Sequence, residues 1–244
     1  MRSFVLMAAL ASAGLGQRLP VTGVAGARFH VTDLAKAREF YTKVFGFQEK
    51  KTAEGMVAFR INAGQYVEFS TGESGSSGGP LEMIALVAAG KPAPLKDQDG
   101  RRVEFVASAP GTFKAGAGSI SDHLLHVGMD TPDLLRSRSF YDDHFGFKED
   151  WRGPTPAQFQ IVILRAPGPR DDFVEFLIHA EQGWKDHICL DVPDIQRAYQ
   201  VLGERGATLR GKPRIASNGH WVLNMADPNG IRVELMEPRP APRD

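Results

Sequence analysis

Residues 187–192 alternate, with Ile188, Leu190 and Val192 on one face of a strand and His187, Cys189 and Asp191 on the other. The period then changes, and Ile195, Ala198, Tyr199 and Leu202 fall at helical spacing before Gly203 and Gly206 help end the run. The same change occurs twice more. A strand at Ala27–Val31 leads into a helix opened by Asp33 and carried by Leu34, Ala37, Phe40, Tyr41, Val44 and Phe45, with Gly46 as its stop. A strand at Leu124–Met129 leads through Pro132, at a helix start, into a helix carrying Leu134, Leu135, Phe140, Tyr141 and Phe145. Short strands follow each helix: Met56–Ile61 and Tyr66–Ser70, then Gln160–Leu164 and Phe173–Ile178, then Trp221–Met225 and Arg232–Met236. The predicted unit is β-α-β-β-β. A fourth block, about Leu81 to Ala107, keeps strands at Leu81–Val87 and Arg102–Val106, but Pro92 and Pro94 deny it the helix.

The blocks are copies. Phe140-Tyr141 and Phe145-Gly146-Phe147 repeat Phe40-Tyr41 and Phe45-Gly46-Phe47 at an offset of 100, and Asp133-Leu134 repeats Asp33-Leu34 in that register. Asp97 to Phe105 returns as Asp227 to Leu235. The chain is therefore an α+β protein of repeated βαβββ modules, arranged as two paired-module halves with the second module truncated. The expected halves are 21–110 and 121–238, joined by a Gly/Ala/Pro-rich linker from Ala109 to Gly118, and Glu73 to Pro80 is a loop by composition.

The 244 residues are ample for two packed halves, and the net charge of zero with no basic run gives no reason to expect nucleic acid as a partner. One cysteine, Cys189, excludes an intramolecular disulfide. Arg2, the apolar run Phe4 to Leu10 and the small residues that follow read as a secretory signal over 1–18, too short to span a bilayer. A periplasmic or secreted protein is expected, with no membrane association once the signal is removed.

The later half carries the candidate chemistry. His126 and His187 each stand seven residues before the aspartate that opens the next helix, Asp133 and Asp194. Each is matched by a later glutamate: Glu175 follows His126 by 49 positions and Glu234 follows His187 by 47. Strand parity puts His187, Glu175 and Glu234 on the face away from the helices, while the strand of His126 is too mixed to decide. A curved sheet doubled by its sister module encloses a cup. Two imidazoles and two carboxylates there suit a borderline or hard divalent ion: Fe, Mn, Ni, Co or Zn. Cys189 would be a wall residue of that cup.

These motifs, His126 to Phe147, Asp186 to Asp194 and Asp227-Pro228-Asn229-Gly230 to Glu234, resemble the vicinal oxygen chelate superfamily, which includes glyoxalase I, extradiol dioxygenases and bleomycin-resistance proteins. The resemblance spans nearly all of the chain after the signal. It implies paired modules around a cup and a metal held by His126, Glu175, His187 and Glu234, with Glu175 or Glu234 able to act as base. In the earlier half the equivalent positions are Gly26 and Met83, with Glu68 and Glu104 retained, and no metal is expected.

The function expected is a metal-dependent lyase or isomerase of glyoxalase type, moving a proton on a small substrate with vicinal oxygens. Export argues against a glutathione substrate. The first alternative is an Fe(II) ring-cleaving dioxygenase using His126, His187 and Glu234, against which Asn224 stands where that group has a tyrosine and His220 lies too close to Pro228. The second is a non-catalytic binder of a small molecule or metal. Partners are a small-molecule substrate and a second copy of the chain. His30, His123, His144 and His179 read as structural histidines, and Glu68 and Glu104 as relics or salt-bridge residues. His220, Trp221, Asn224 and Arg232 are the candidates for touching a substrate, with Arg152 and Phe159 behind them.

Overall fold

In the computed structural model, which describes residues 18–71, 79–107, 115–178 and 186–240, three aspartates start the three helices as N-caps. Asp33 accepts the Lys36 amide at 3.0 Å and opens α1 (Leu34–Glu39). Asp133 accepts the Leu135 and Arg136 amides and opens α2 (Leu134–Phe145). Asp194 accepts the Arg197 amide and opens α3 (Ile195–Glu204). Each such cap contributes about 1 kcal/mol. Pro132 therefore precedes the N-cap rather than opening the helix itself. Gly146 ends α2 at φ 80°, a left-handed cap that explains the glycine of the Phe-Gly-Phe motif. The first copy differs: α1 passes into a π-turn at Phe40–Val44 instead of continuing as α-helix.

The strands of the first half are β1 (Val21–His30), β2 (Gln48–Lys50), β3 (Met56–Arg60), β4 (Tyr66–Ser70), β5 (Leu81–Ala88), β6 (Leu95–Lys96) and β7 (Arg102–Val106), ordered β2-β3-β4-β1-β5-β7-β6. Those of the second are β8 (Leu124–Thr131), β9 (Lys148–Pro154), β10 (Phe159–Arg165), β11 (Phe173–Ile178), β12 (His187–Asp191), β13 (Arg214–Ile215), β14 (His220–Ala226) and β15 (Arg232–Pro240). Their order is β13-β14-β15-β12-β8-β11-β10-β9. In each sheet the first strands of two modules pair antiparallel at the centre, β1 with β5 and β8 with β12. Between β5 and β7 lie only β6 and turns, the truncated module expected from Pro92 and Pro94.

One buried apolar cluster runs through both halves on the helix side of the sheets, from Val24 and Phe29 to Val127, Ile188 and Leu235. Smaller clusters line the opposite faces: Ala25, Met83, Ala85 and Val87 in the first half, and Leu125, Ile163, Phe173, Cys189, Val222 and Met236 in the second. Leu125 and His126 are consecutive yet both turn to the cup. The reason is a bulge, because Cys189 faces His126 while Leu190 faces Leu124.

The halves lock through equivalent polar devices. Gln65 Nε2 donates to the Val24 and Leu124 carbonyls at 3.0 and 2.8 Å, and Asp172 accepts the Val24 amide at 3.0 Å. The repeated Asp-x-x-Gly turns dock on the other half's helix. Asn229 accepts the Asp33 amide and donates to the Asp33 carbonyl, each at 3.0 Å, and Gln98 donates to Ser137 Oγ at 2.7 Å. Arg101, buried among Asp97, Asp99 and Asp186, also donates to the Asp130 carbonyl. No helix among the described residues is long and apolar enough to cross a membrane. The expected signal lies outside the described residues apart from Arg18, as do His179 and most of the expected linker and loop.

Candidate metal centre

Register decides which side chains meet. Across β12, β8 and β11, His187 faces Gly128 and Gly128 faces Glu175. One rung on, Phe173 faces His126, His126 faces Cys189, and Cys189 faces Glu234. The four residues singled out by spacing thus occupy two adjacent rungs of one sheet face. His126 and His187 are fully buried, with Glu175 9% and Glu234 5% exposed.

The Nε2 atoms of His126 and His187 stand 3.1 Å apart. Glu175 Oε2 lies 3.3 Å from His187 Nε2 and 3.8 Å from His126 Nε2. Donors bonded at about 2.0–2.2 Å to one ion lie about 2.8–3.1 Å apart at right angles and about 3.3–3.6 Å apart in a tetrahedron. The two imidazoles and Glu175 are thus spaced nearly as ligands of a shared cation would be. Glu234 belongs to a second group, with donor atoms of His126, Cys189 and Glu234 within 4.8 Å of one another. Its Oε2 is held by Arg232 at 2.6 Å, and Arg232 Nε donates to Asn224 Oδ1 at 2.7 Å.

Electrostatics favour neutral imidazole. Burial, opposed by the Glu175 carboxylate and helped by His187 and Arg232, pushes His126 down to about 3. A lone pair is therefore free for a cation at neutral pH. Among the described residues His126 Nδ1, which is buried, has no hydrogen-bond partner, and the ring stacks on Phe173 at 4.4 Å. Burial raises the Cys189 thiol well above its usual range.

Gly128 was not singled out by spacing, yet it makes the site fit. A Cβ there would lie 1.9 Å from His187 Cε1 and 2.2 Å from Nδ1. The imidazole crosses β8 over the glycine to reach His126 and Glu175. A glycine inside an apolar strand was the available signal.

Beside the cluster lies a pocket of about 280 Å³. Its walls include Leu125, Trp151, Ile163, Phe173 and Met236, with Arg165, Asp150, Asn218 and His220 among its polar lining. Of the candidate contact residues, His220 lines this pocket and Asn224 and Arg232 adjoin Glu234. Trp221 does not, because it packs against the helix-side core. Arg152 lies over the Phe159 ring at 4.4 Å, and neither lines the pocket. His144 donates to the Phe140 carbonyl and stacks on that ring. His123 bridges Asp172 at 2.7 Å and Asp191 at 2.9 Å. Although burial opposes it, these two carboxylates lift His123 to about 9.

Paired βαβββ modules around a His/Glu cup define a class of proteins whose members share a scaffold rather than a reaction. The family model for the Glyoxalase/Bleomycin resistance protein/Dioxygenase superfamily matches residues 24–107 and 123–235, and the chain belongs to that superfamily. Among curated relatives, the mitochondrial methylmalonyl-CoA epimerase of Dictyostelium discoideum is 30% identical over 138 residues, covering 51% of this chain and 81% of that protein. An ethylmalonyl-CoA/methylmalonyl-CoA epimerase of Cereibacter sphaeroides is 32% identical over 127 residues, covering 46% and 95%. The fold is similar to that of the 2,3-dioxygenase LapB from Pseudomonas sp. KL28, with TM-score 0.74, 14% identity and coverage of 93% of this chain and 96% of that one. It is also similar to a mutant of homoprotocatechuate 2,3-dioxygenase from Brevibacterium fuscum, with TM-score 0.72, 18% identity and coverage of 93% and 74%.

Proposed function

We propose that the C-terminal cup is the active site of a divalent-metal-dependent isomerase that moves a proton at a carbon next to a carbonyl. The observation that carries this reading is the gathering of His126, His187 and Glu175, with Glu234 beside His126, in one buried cup. His126, His187 and Glu175 would hold the ion, with Glu234 beside His126. A divalent ion there supplies Lewis acidity toward a carbonyl oxygen of the substrate.

The chain's own groups supply the rest. Glu234 on β15 and Glu175 on β11 flank the central pair β12 and β8 from opposite sides. Two carboxylates so placed suit removal of a proton from one face of a carbon and delivery to the other. Phe173, Trp151 and Leu125 give the neighbouring pocket an apolar wall, and Arg165, Asp150, Asn218 and His220 give it polar groups that could orient a substrate. Arg232 fixes Glu234 at one oxygen and leaves the other for proton transfer. The epimerase names of the relatives favour this reaction class.

The test is exchange of a substrate α-proton in D2O, followed by NMR, with a 2-methylmalonyl thioester and with a small α-hydroxy ketone. Protein loaded with Co or Mn should exchange the proton of at least one of them. Glu175→Gln or Glu234→Gln should slow exchange by at least about 100-fold. Fully loaded protein that exchanges neither would contradict the proposal.

A second reading is ring cleavage by His126, His187 and Glu234 with iron, favoured by the aromatic pocket walls Trp151 and Phe173. It requires oxygen uptake with a catechol after anaerobic Fe(II) loading. Tight retention of a ligand without turnover would instead make the protein a binder. Export is part of the proposal too, and amino-terminal sequencing of the mature protein tests it.

A further inference from the structure

Cys189 occupies the rung between His126 on β8 and Glu234 on β15. A ring nitrogen of His126, the Cys189 sulfur and a Glu234 oxygen lie within 4.8 Å of one another, and all three residues are buried. Among the described residues the sulfur's hydrogen bonding is a long contact of 3.9 Å to the Leu190 carbonyl. His126 adds a second observation, since its Nδ1 is buried with no hydrogen-bond partner among the described residues while its Nε2 faces His187. The equivalent rung of the first half reads Gly26, Ala85 and Glu104, where the carboxylate alone could bind an ion.

We propose that the cup carries two overlapping donor sets sharing His126, and that Cys189 with His126 and Glu234 forms a sulfur-containing set for thiophilic divalent cations such as Cd2+, Zn2+ or Co2+. This rests on the reading of the cup as a cation site. Sulfur ligands favour soft and borderline ions, whereas His126, His187 and Glu175 suit harder ones. On binding, the S–H bond breaks, a sulfur–metal bond forms and the proton leaves to solvent. An ion in this set ties up Glu234 and so fills the cup without supporting proton transfer.

The experiment compares Co2+, Cd2+ and Mn2+ binding to the full chain, to Cys189→Ser, to Cys189→Ala and to His187→Gln, with melting curves as the folding control. Wild-type protein with Co2+ should show a sulfur-to-cobalt charge-transfer band in the near ultraviolet besides the visible bands. Both cysteine variants should keep the visible bands and lose the other. Cd2+ affinity should fall at least about tenfold in Cys189→Ser, while Mn2+ affinity changes by less than about twofold. His187→Gln should do the reverse, losing Mn2+ and keeping Cd2+. Visible bands without the charge-transfer band in wild-type protein, or unchanged Cd2+ affinity in Cys189→Ser, would overturn the inference and leave the cation site standing. Failure of all three ions to bind wild-type protein would overturn both.

Discussion

The two cups of this chain are built on the same register and filled differently. Arg28 faces Glu68 and Met83 as Gly128 faces Glu175 and His187. In the first cup the Arg28 guanidinium binds Glu68 at 2.8 Å, the space over Gly26 is taken by Tyr66, and Lys50 lies 5.2 Å from the Tyr66 ring centre. In the second, absence of a side chain at Gly128 lets an imidazole cross the strand. The same scaffold therefore presents either a closed ion pair or a donor cluster, and one position, 28 or 128, goes far to decide which. Retained glutamates are poor markers of function here: Glu104 pairs with Arg102 at 2.6 Å just as Glu234 pairs with Arg232.

The sharpest way to break this comparison is to make the second cup resemble the first. Gly128→Arg should abolish uptake of Mn2+ while circular dichroism and melting remain those of a folded protein, and retained uptake would refute the role given to Gly128. Gly128→Ala is milder. Its methyl would press on the His187 ring, and metal affinity measured by calorimetry should fall at least about tenfold. The reverse change acts on stability alone. Arg28→Ala leaves nearly buried Glu68 without its guanidinium, at a cost of about 1–3 kcal/mol in denaturant unfolding, with metal content unchanged.

Much of this was legible beforehand. The duplication, the helix-opening aspartates and the matched His and Glu offsets identified the modules and all four cup residues, because spacing survives copying. The orientation of His126 was not legible, since the bulge before it breaks the alternation that parity relies on. Strand ends were also hidden: β1 begins at Val21 and β15 runs to Pro240. Their extensions are fixed by pairing with β5 and β14 rather than by local pattern. The short strands β2, β6 and β13 escaped for the same reason, and so did the longer β9, whose mostly polar residues carry no apolar alternation. Gln65 and Asp172 gave no sign of joining β1 to β8, because that contact exists only once two halves meet.

That junction gives the smallest effect and a pH test. His123 has Gly23 as its counterpart, and only the second half places an ion pair there. Its raised value means the pair stabilises the fold fully below about 6.5, the ordinary histidine value. That contribution is lost as pH rises through about 9. The melting temperature of wild-type protein should therefore fall between pH 7 and 10 by more than that of His123→Gln. Parallel curves would show that the pair contributes nothing.

The most direct measurement is anomalous diffraction from a crystal soaked in Mn2+. One peak per chain is expected, at bonding distance from His126, His187 and Glu175. A peak beside Glu68 and Glu104 instead, or no peak in either cup at full soak, would contradict the assignment of the second cup as the metal centre.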